Sequence, residues 1–159
     1  MSIHRFFNRS QVTTARPTVL LIRILVGWVF VSEGIGKFIF ASTHGSGRFE
    51  KIGIPFAPLM GPCVGTVEIL CGALLLFGFL TRLAVIPLLC DMAVAIISTK
   101  LPILLGYGIG PFTLPSVSQF GLWSMLHEAR TDLSMLFGLV FLLIEGAGAW
   151  SLDARISQR

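Results

Sequence analysis

Charged residues are scarce in this chain. Only 13% of its 159 residues are Asp, Glu, Lys or Arg, and 54% are hydrophobic, whereas soluble domains average about 25% charged residues. The formal net charge is +4, but no run of Lys and Arg resembles a nucleic-acid-binding segment. This balance argues against an ordinary soluble domain and against a nucleic acid partner. It favours a chain whose main partner is the lipid bilayer.

Cysteines and cofactor motifs are also few. Cys63, Cys71 and Cys90 form no CxxC pair and have no metal-type spacing, which argues against the usual zinc and iron–sulfur sites. A pairing of Cys71 with Cys90 is conceivable, although we interpret all three as small buried apolar residues. His127 is the only histidine in a predicted span, so one chain cannot supply a bis-His haem. Phosphate-loop and dinucleotide motifs are missing, and we expect no intrinsic cofactor and no metal.

Long apolar runs are what the sequence has in abundance. A membrane-spanning helix needs about 20 residues at a rise of about 1.5 Å each. Four segments meet this length, at about residues 17–40, 59–80, 83–105 and 125–147. The first run continues to Phe40 without a small-residue cleavage site, so we expect a retained anchor rather than a signal peptide. The pattern predicts one all-α domain over residues 1–159, an up-down four-helix bundle in the membrane.

The connections between the predicted spans differ in length. Residues 41–58 and 106–124 are rich in Gly and Pro and are predicted to be loops, and the role of the second loop stays open. Thr81-Arg82 leaves room only for a tight turn. Pro87 and Pro102 are expected to bend the third span.

The distribution of basic residues predicts the orientation. The tails and the tight turn hold Arg5, Arg9, Arg16, Arg82, Arg155 and Arg159. The two longer loops hold only Arg48 and Lys51. By the positive-inside rule both termini are therefore predicted to be cytoplasmic. Trp150 would then mark the inner interface and Trp123 the outer one.

Charged residues inside the predicted spans collect in their outer half. The candidate buried polar pocket comprises Glu33, Lys37, Glu68, Asp91, Lys100, His127, Glu128, Arg130 and Asp132. A charge at the bilayer centre costs about 2.5–3.5 kcal/mol, and buried ion pairs are weak evidence of net stabilisation. We therefore favour a functional pocket open toward the outer face over a static network of ion pairs, which stays the alternative. His127 is either a proton-transfer group or simply hydrogen-bonded.

Helical periodicity predicts which way these charges face. Glu33 lies four residues before Lys37. An acid that precedes a base by four residues is the better order for an ion pair within one helix. One face of the second span holds Gly61, Gly65, Glu68 and Gly72. One face of the third holds Pro87, Asp91, Ala95 and Ser98, and one face of the fourth holds Glu128, Thr131, Asp132 and Met135. Small residues allow a neighbouring helix to approach closely, so Glu68 is predicted to lie inside the bundle. Arg130 points elsewhere.

Several of these segments resemble one known family. They are RILVGWVFVSEGIGKF, GRFEKIGIP, GPCVGTVEILCGALLLFG and TRLAVIPLLCDMAVAI. Together they resemble the DoxX family of small four-helix bacterial membrane proteins, over about residues 23–153. The ending HEARTDLSMLFGLVFLLIEGAGAWSLD resembles a subset of that family.

The resemblance implies a multi-pass protein of the bacterial inner membrane. The family is named for a subunit of a thiosulfate:quinone oxidoreductase, and other members are linked to tolerance of quinones, catechols or oxidants. Carried over to this chain, the resemblance implies that Lys37, Glu68 and Asp91 are functionally sensitive. The 106–124 loop departs from shorter family members.

Three functions stay open from the sequence. The first is a redox-associated membrane subunit that binds a quinone and draws electrons from a soluble or membrane redox partner. The second is a small proton-linked carrier, which with four helices would have to form a homo-oligomer. The third is a non-catalytic scaffold that holds a soluble redox enzyme at the membrane. At most, then, the chain is a subunit of a membrane oxidoreductase.

Overall fold

The computed structural model describes residues 16–157, and this part of the chain is helical. The helices are α1 (Val19–Ile39), α2 (Ser46–Ile52), α3 (Ala57–Phe77), α4 (Thr81–Ala95), α5 (Leu101–Leu105), α6 (Leu122–Glu145) and α7 (Leu152–Ser157). A π-helical turn, Ile96–Lys100, joins α4 to α5. No β-strand occurs between residues 16 and 157; a single isolated bridge links Ile109 to Phe112. The predicted topological role of Arg5, Arg9 and Arg159 falls outside the described residues.

Three helices within residues 16–157 are long and apolar enough to cross a membrane. They are Val19–Ile39, Ala57–Phe77 and Thr81–Leu105, the last including the π-helical turn. These three candidate spans coincide with the first three predicted spans. The fourth predicted span coincides with α6, a helix of 24 residues. Its N-terminal half carries Glu128, Arg130 and Asp132, so α6 is too charged to be identified as a span by composition. That α6 crosses the membrane stays a prediction.

Glycines bring α1 and α3 into direct backbone contact. A Cβ atom on Gly34 would lie 2.7 Å from the carbonyl oxygen of Gly65, and one on Gly27 would lie 2.9 Å from that of Gly72. The buried face of α3 includes Gly61, Gly65, Glu68 and Gly72, as the helical spacing predicted. Close packing of small residues is how helices associate in lipid, where the hydrophobic effect is weak.

Substitution of Gly34 by leucine is expected to separate α1 from α3. The new side chain would meet the Gly65 carbonyl and the Ile69 side chain at once, and overpacking typically costs about 1–3 kcal/mol. Thermal unfolding in detergent, followed by circular dichroism, measures the loss. Gly36→Ala on the same helix serves as the control, because the atom nearest its Cβ position, His44 Nδ1, lies at an ordinary contact distance of 3.5 Å. Equal stability of Gly34→Leu and the parent chain would contradict the close packing.

The π-helical turn lies just before a proline. Pro102 has no N–H to donate to the carbonyl four residues earlier, and irregular turns of this kind relieve such interruptions. The Thr99 hydroxyl donates to the Ala95 carbonyl at 2.6 Å within the widened turn. By contrast, α4 continues through Pro87.

The connections differ from the sequence prediction in two places. The segment predicted as a loop over residues 41–58 contains α2, which packs against α3. Thr113 fastens the second loop to α2, because its hydroxyl donates to the Lys51 carbonyl at 2.6 Å and its N–H to the Ile52 carbonyl at 3.1 Å. The tight turn is not Thr81-Arg82. α3 ends at Phe77, the next residue is Gly78, whose φ of +65° is left-handed, and Thr81 already begins α4.

An apolar core occupies one half of the space between the long helices. α1 packs mainly against α3 and α4 against α6, with further contacts of α3 with α4 and of α1 with α6. All four long helices contribute fully buried apolar residues, among them Val26, Leu75, Leu88, Leu139 and Leu142. Many large apolar side chains on the outer surface are exposed, including Trp28, Phe77 and Phe137, as expected of helices that face lipid rather than water.

Candidate functional site

A charged cavity lies between the helices beyond this apolar core. Its volume is about 380 Å³. Its charged and titratable lining residues are Glu33, Lys37, His44, Arg48, Glu68, Asp91, Lys100, Glu128, Arg130 and Asp132. Apolar side chains complete the wall, chiefly Phe30, Phe49, Met92 and Met135. Such a mixture of apolar walls and a few convergent polar groups is typical of small-molecule sites.

The most deeply buried charge in the cavity is Glu68, which is paired with Lys37. The Lys37 Nζ atom lies 2.6 Å from Glu68 Oε2, and only 3% of the Glu68 side chain is exposed. The pair joins α1 to α3 beside the glycine contact at Gly34 and Gly65. The close approach of the two backbones therefore sets the distance between the charges.

Asp91 adds a second carboxyl group from α4. It lies within hydrogen-bonding reach of Glu68 and also interacts electrostatically with Lys37. Two carboxyl groups can hydrogen-bond to each other only when one of them carries a proton. Lys37, Glu68 and Asp91, from three different helices, thus form a compact group that can hold and transfer a proton; we refer to it as the carboxyl–lysine cluster.

A second ion pair lies nearer the exposed side of the cavity. Lys100 Nζ, at the end of the π-helical turn, lies 3.1 Å from Asp132 Oδ2 on α6. Asp132 also interacts electrostatically with Asp91. The π-helical turn therefore places a cation where it bridges the third span to α6.

The cavity collects eight of the nine residues that the sequence singled out. His127 is the exception: its side chain is exposed and does not line the cavity, and its carbonyl accepts a hydrogen bond from Arg130. Glu33 lines the cavity but is exposed, and the ion-pair partner of Lys37 is Glu68 rather than Glu33. Arg130, expected to point elsewhere, is exposed and contributes to the lining.

Sequence reasoning missed the cavity residues that α2 supplies. His44, Arg48 and Phe49 lie outside the predicted spans, yet the loop before α2 and α2 itself bring them to the cavity. α2 has only seven residues, too few for a periodic pattern. The one signal was the position of Arg48 and Phe49 in the GRFEKIGIP motif.

Sequence reasoning also missed a polar cluster at the opposite end of the helices. Arg23 is buried and donates to the carbonyls of Ala147 at 2.5 Å and Trp150 at 2.8 Å. Buried Asp153 accepts from the N–H groups of Leu80 at 2.8 Å and Thr81 at 3.0 Å. These contacts fasten the segment 146–157 to α1 and to the start of α4. Their geometry is that of a structural clamp.

The three cysteines are free thiols, with Cys63 and Cys90 exposed and Cys71 half-buried. Within residues 16–157, no group of three or more His, Cys, Asp or Glu side chains is arranged as a metal site.

The part of the chain that holds most of the cavity's charged residues matches a known protein family. The model of the DoxX family matches residues 18–101, which hold α1 to the start of α5 and thus Lys37, Glu68, Asp91 and Lys100. Among curated proteins, the chain is 53% identical over 143 residues to the uncharacterized membrane protein Rv3486 of Mycobacterium tuberculosis (strain ATCC 25618 / H37Rv). That match covers 90% of this chain and 83% of the relative. No solved structure matches.

Proposed function

Since the chain belongs to the DoxX family of integral membrane proteins, we propose that it is a quinone-linked subunit of a membrane redox system. In this proposal the cavity holds the head group of a quinone, and the carboxyl–lysine cluster handles its protons. A soluble or membrane redox partner exchanges the electrons with it.

The proposal includes a membrane arrangement. α6 joins the three candidate spans as a fourth transmembrane helix, and the four form an up-down bundle in the bacterial inner membrane. Glu128 and Asp132 line the cavity, whereas Phe137 and Ile144 on the same helix are exposed and apolar; that division suits a helix with lipid on its outside. Arg82 and Arg155 lie at the end away from the cavity, so both termini are cytoplasmic and the cavity faces outward.

The observation that carries the proposal is the position of the carboxyl–lysine cluster in an open cavity with an apolar wall. Reduction of a quinone to the hydroquinone consumes two electrons and two protons. A group that supplies a proton must lie within hydrogen-bonding reach of the quinone oxygen, and an ammonium and a shared carboxyl proton are suitable donors. Phe30, Phe49 and Met92 offer the soft apolar contacts that an aromatic ring prefers.

In this proposal the chain binds the quinone and supplies its protons, and it does not supply the electrons. The electrons must come from, or pass to, a partner that carries a flavin, haem or comparable redox group. This division of labour agrees with the composition of the cavity, whose reactive side chains are acids and bases. A scaffold function alone would give no reason for an open cavity beside buried charges, because apolar packing would hold the helices together at lower cost.

Quinone binding tests the proposal directly. The full chain is purified from native membranes in mild detergent, and quinones and protein partners that co-purify are identified by mass spectrometry. Short-chain benzoquinone and naphthoquinone probes are then titrated against tryptophan fluorescence. Glu68→Gln is expected to weaken binding about tenfold or more, because an amide, a weaker donor, replaces the carboxyl O–H that donates to the quinone oxygen. Glu50→Gln, on the exposed side of α2 and outside the cavity, is expected to leave affinity unchanged.

Two outcomes would contradict the proposal or its test. If the parent chain binds neither probe, and neither a quinone nor a redox subunit co-purifies, the redox function is wrong. Equal weakening by Glu68→Gln and Glu50→Gln would show that the probes bind outside the cavity.

A further inference from the structure

In each of the four long helices, a segment with charged side chains borders an apolar segment at the same level along the bundle. In α1, Glu33 lies ten positions after Arg23, and the buried residues between them are Val26, Gly27 and Phe30. In α4, Asp91 lies ten positions after Thr81, and the buried residues between them are Ala84, Val85 and Leu88. Ten helical residues rise about 15 Å. Both helices thus carry an apolar layer of the same thickness.

The other two long helices complete this layer. On α3, the buried residues after Glu68 are Gly72 and Leu75. On α6, they are Met135, Leu139 and Leu142. None of the buried polar side chains of residues 16–157 lies within the layer; half-buried Cys71 packs against it, and a thiol is a weak hydrogen-bonding group.

On the cavity side of this layer, the exposed fraction of the charged side chains rises from Glu68 toward the cavity mouth. The side chains of Glu68, Lys37, Lys100 and Asp132 are 3%, 10%, 12% and 23% exposed. Asp91 lies between the two ion pairs, because it is within hydrogen-bonding reach of Glu68 and interacts with Asp132. Titratable groups therefore lead from the deepest carboxylate to the cavity mouth. Within the apolar layer, none of the buried side chains of residues 16–157 is an Asp, Glu, Lys, Arg or His.

We infer that the Glu68–Asp91 carboxyl pair exchanges its proton with solvent on one face only, through the cavity, and that the apolar layer closes the opposite path. The inference rests on the proposed proton-handling function of this pair. Proton transfer needs a chain of hydrogen-bonding groups or water, and a close-packed apolar layer provides neither. Protons consumed or released at the site therefore come from, and return to, the face at the cavity mouth.

The groups that face the carboxyl pair from the surrounding elements define the route. α1 contributes Glu33 and Lys37, the π-helical turn contributes Lys100, and α6 contributes Glu128, Arg130 and Asp132. His44 and Arg48 line the cavity from the loop before α2 and from α2. All of them lie on the cavity side of the apolar layer. The polar cluster of Arg23 and Asp153 lies on the other side, where Arg23 donates to the Trp150 carbonyl and Asp153 accepts from the Leu80 N–H.

Cysteine labelling tests the sidedness of the cavity. Single cysteines are introduced into a full-length chain whose three native cysteines are replaced by alanine, and a membrane-impermeant thiosulfonate is applied to right-side-out and inverted vesicles. Thr131→Cys in the cavity lining is expected to react from one face only. Arg155→Cys, exposed at the far end, is expected to react only from the other face. Leu139→Cys, buried in the apolar layer, is expected to react from neither face.

Deuterium exchange then tests the proton route itself. The infrared carboxyl band that disappears in Glu68→Gln is followed after transfer into D₂O. Attaching a bulky maleimide to Thr131→Cys is expected to slow exchange of this band about tenfold or more, and the same label on Arg155→Cys to leave the rate unchanged. Reconstituted vesicles are expected to leak protons no faster than empty ones.

Three results would overturn the inference. They are labelling of Thr131→Cys from both faces, exchange that is insensitive to the blocked cavity, and a proton leak that Glu68→Gln abolishes. None of these measurements uses a quinone, so they are independent of whether the quinone proposal succeeds. A leak through Glu68 would favour a proton-linked carrier.

Discussion

Replacement of Lys37 by methionine is expected to destabilise the protein by about 3–5 kcal/mol, the typical cost of breaking a buried ion pair by removing one partner. The carboxylate of Glu68, 3% exposed and 2.6 Å from Lys37 Nζ, would lose the cation that compensates its charge. Methionine fills a similar volume, so the loss reports the charge rather than a cavity. Reversible unfolding in mixed micelles, followed by circular dichroism, measures it.

A double variant tests whether the charges of Lys37 and Glu68 are energetically coupled. Lys37→Met with Glu68→Leu is expected to recover most of the lost stability, because apolar replacement of a whole buried pair is often neutral or stabilising. The exposed Lys51→Met is the control and is expected to change stability by less than about 0.5 kcal/mol. A double variant no more stable than Lys37→Met would mean that the two charges are not coupled. A stable double variant that no longer binds quinone would show that the pair serves function rather than folding.

Periodicity predicted the orientation of Glu68 correctly. Its spacing from Gly61, Gly65 and Gly72 places all four on one helix face. That face is buried against α1 and, at Gly61, against α2. The three apolar spans were equally predictable, since length and composition alone decide whether a helix can cross a bilayer. These are local properties of the chain.

Pairing between helices was not predictable in the same way. The sequence favoured Lys37 with Glu33, a contact that stabilises a helix by only a few tenths of a kcal/mol. The structure pairs Lys37 with Glu68 instead, because an unpaired carboxylate inside the protein costs far more than an unpaired one at the cavity edge. Which carboxylate is buried depends on how α1 packs on α3, and no single-helix pattern contains that information.

The other differences between prediction and structure also arise from how separate parts of the chain pack together. α2 is too short to form alone, and it is held by contacts with α3 and by Thr113 from a distant loop. His127 and Asp132 are close in the chain, but their side chains leave α6 at different angles, and only Asp132 lines the cavity. Arg23 has partners more than 50 residues away, so an arginine near the start of the first span gave no local sign of its function.

Arg23→Met is expected to destabilise the protein by about 2–4 kcal/mol and to release the segment 146–157. The guanidinium group donates to the carbonyls of Ala147 and Trp150, with a longer contact of 3.4 Å to that of Leu76. Each buried carbonyl left without a donor costs about 1–3 kcal/mol. Unfolding in mixed micelles gives the loss of stability. Hydrogen–deuterium exchange with mass spectrometry shows whether the amides of residues 146–157 lose protection.

Two further variants make this result specific. Arg23→Lys is expected to restore little, because a single ammonium cannot reproduce the planar fork that reaches separate carbonyls. Arg155→Met, which removes an exposed arginine of the same segment, is expected to leave amide protection unchanged. If protection of residues 146–157 survived Arg23→Met, the segment would be held by Asp153 alone, through its bonds to Leu80 and Thr81. Because the clamp lies beyond the apolar layer, Arg23→Met is expected to leave labelling of Thr131→Cys in the cavity unaltered.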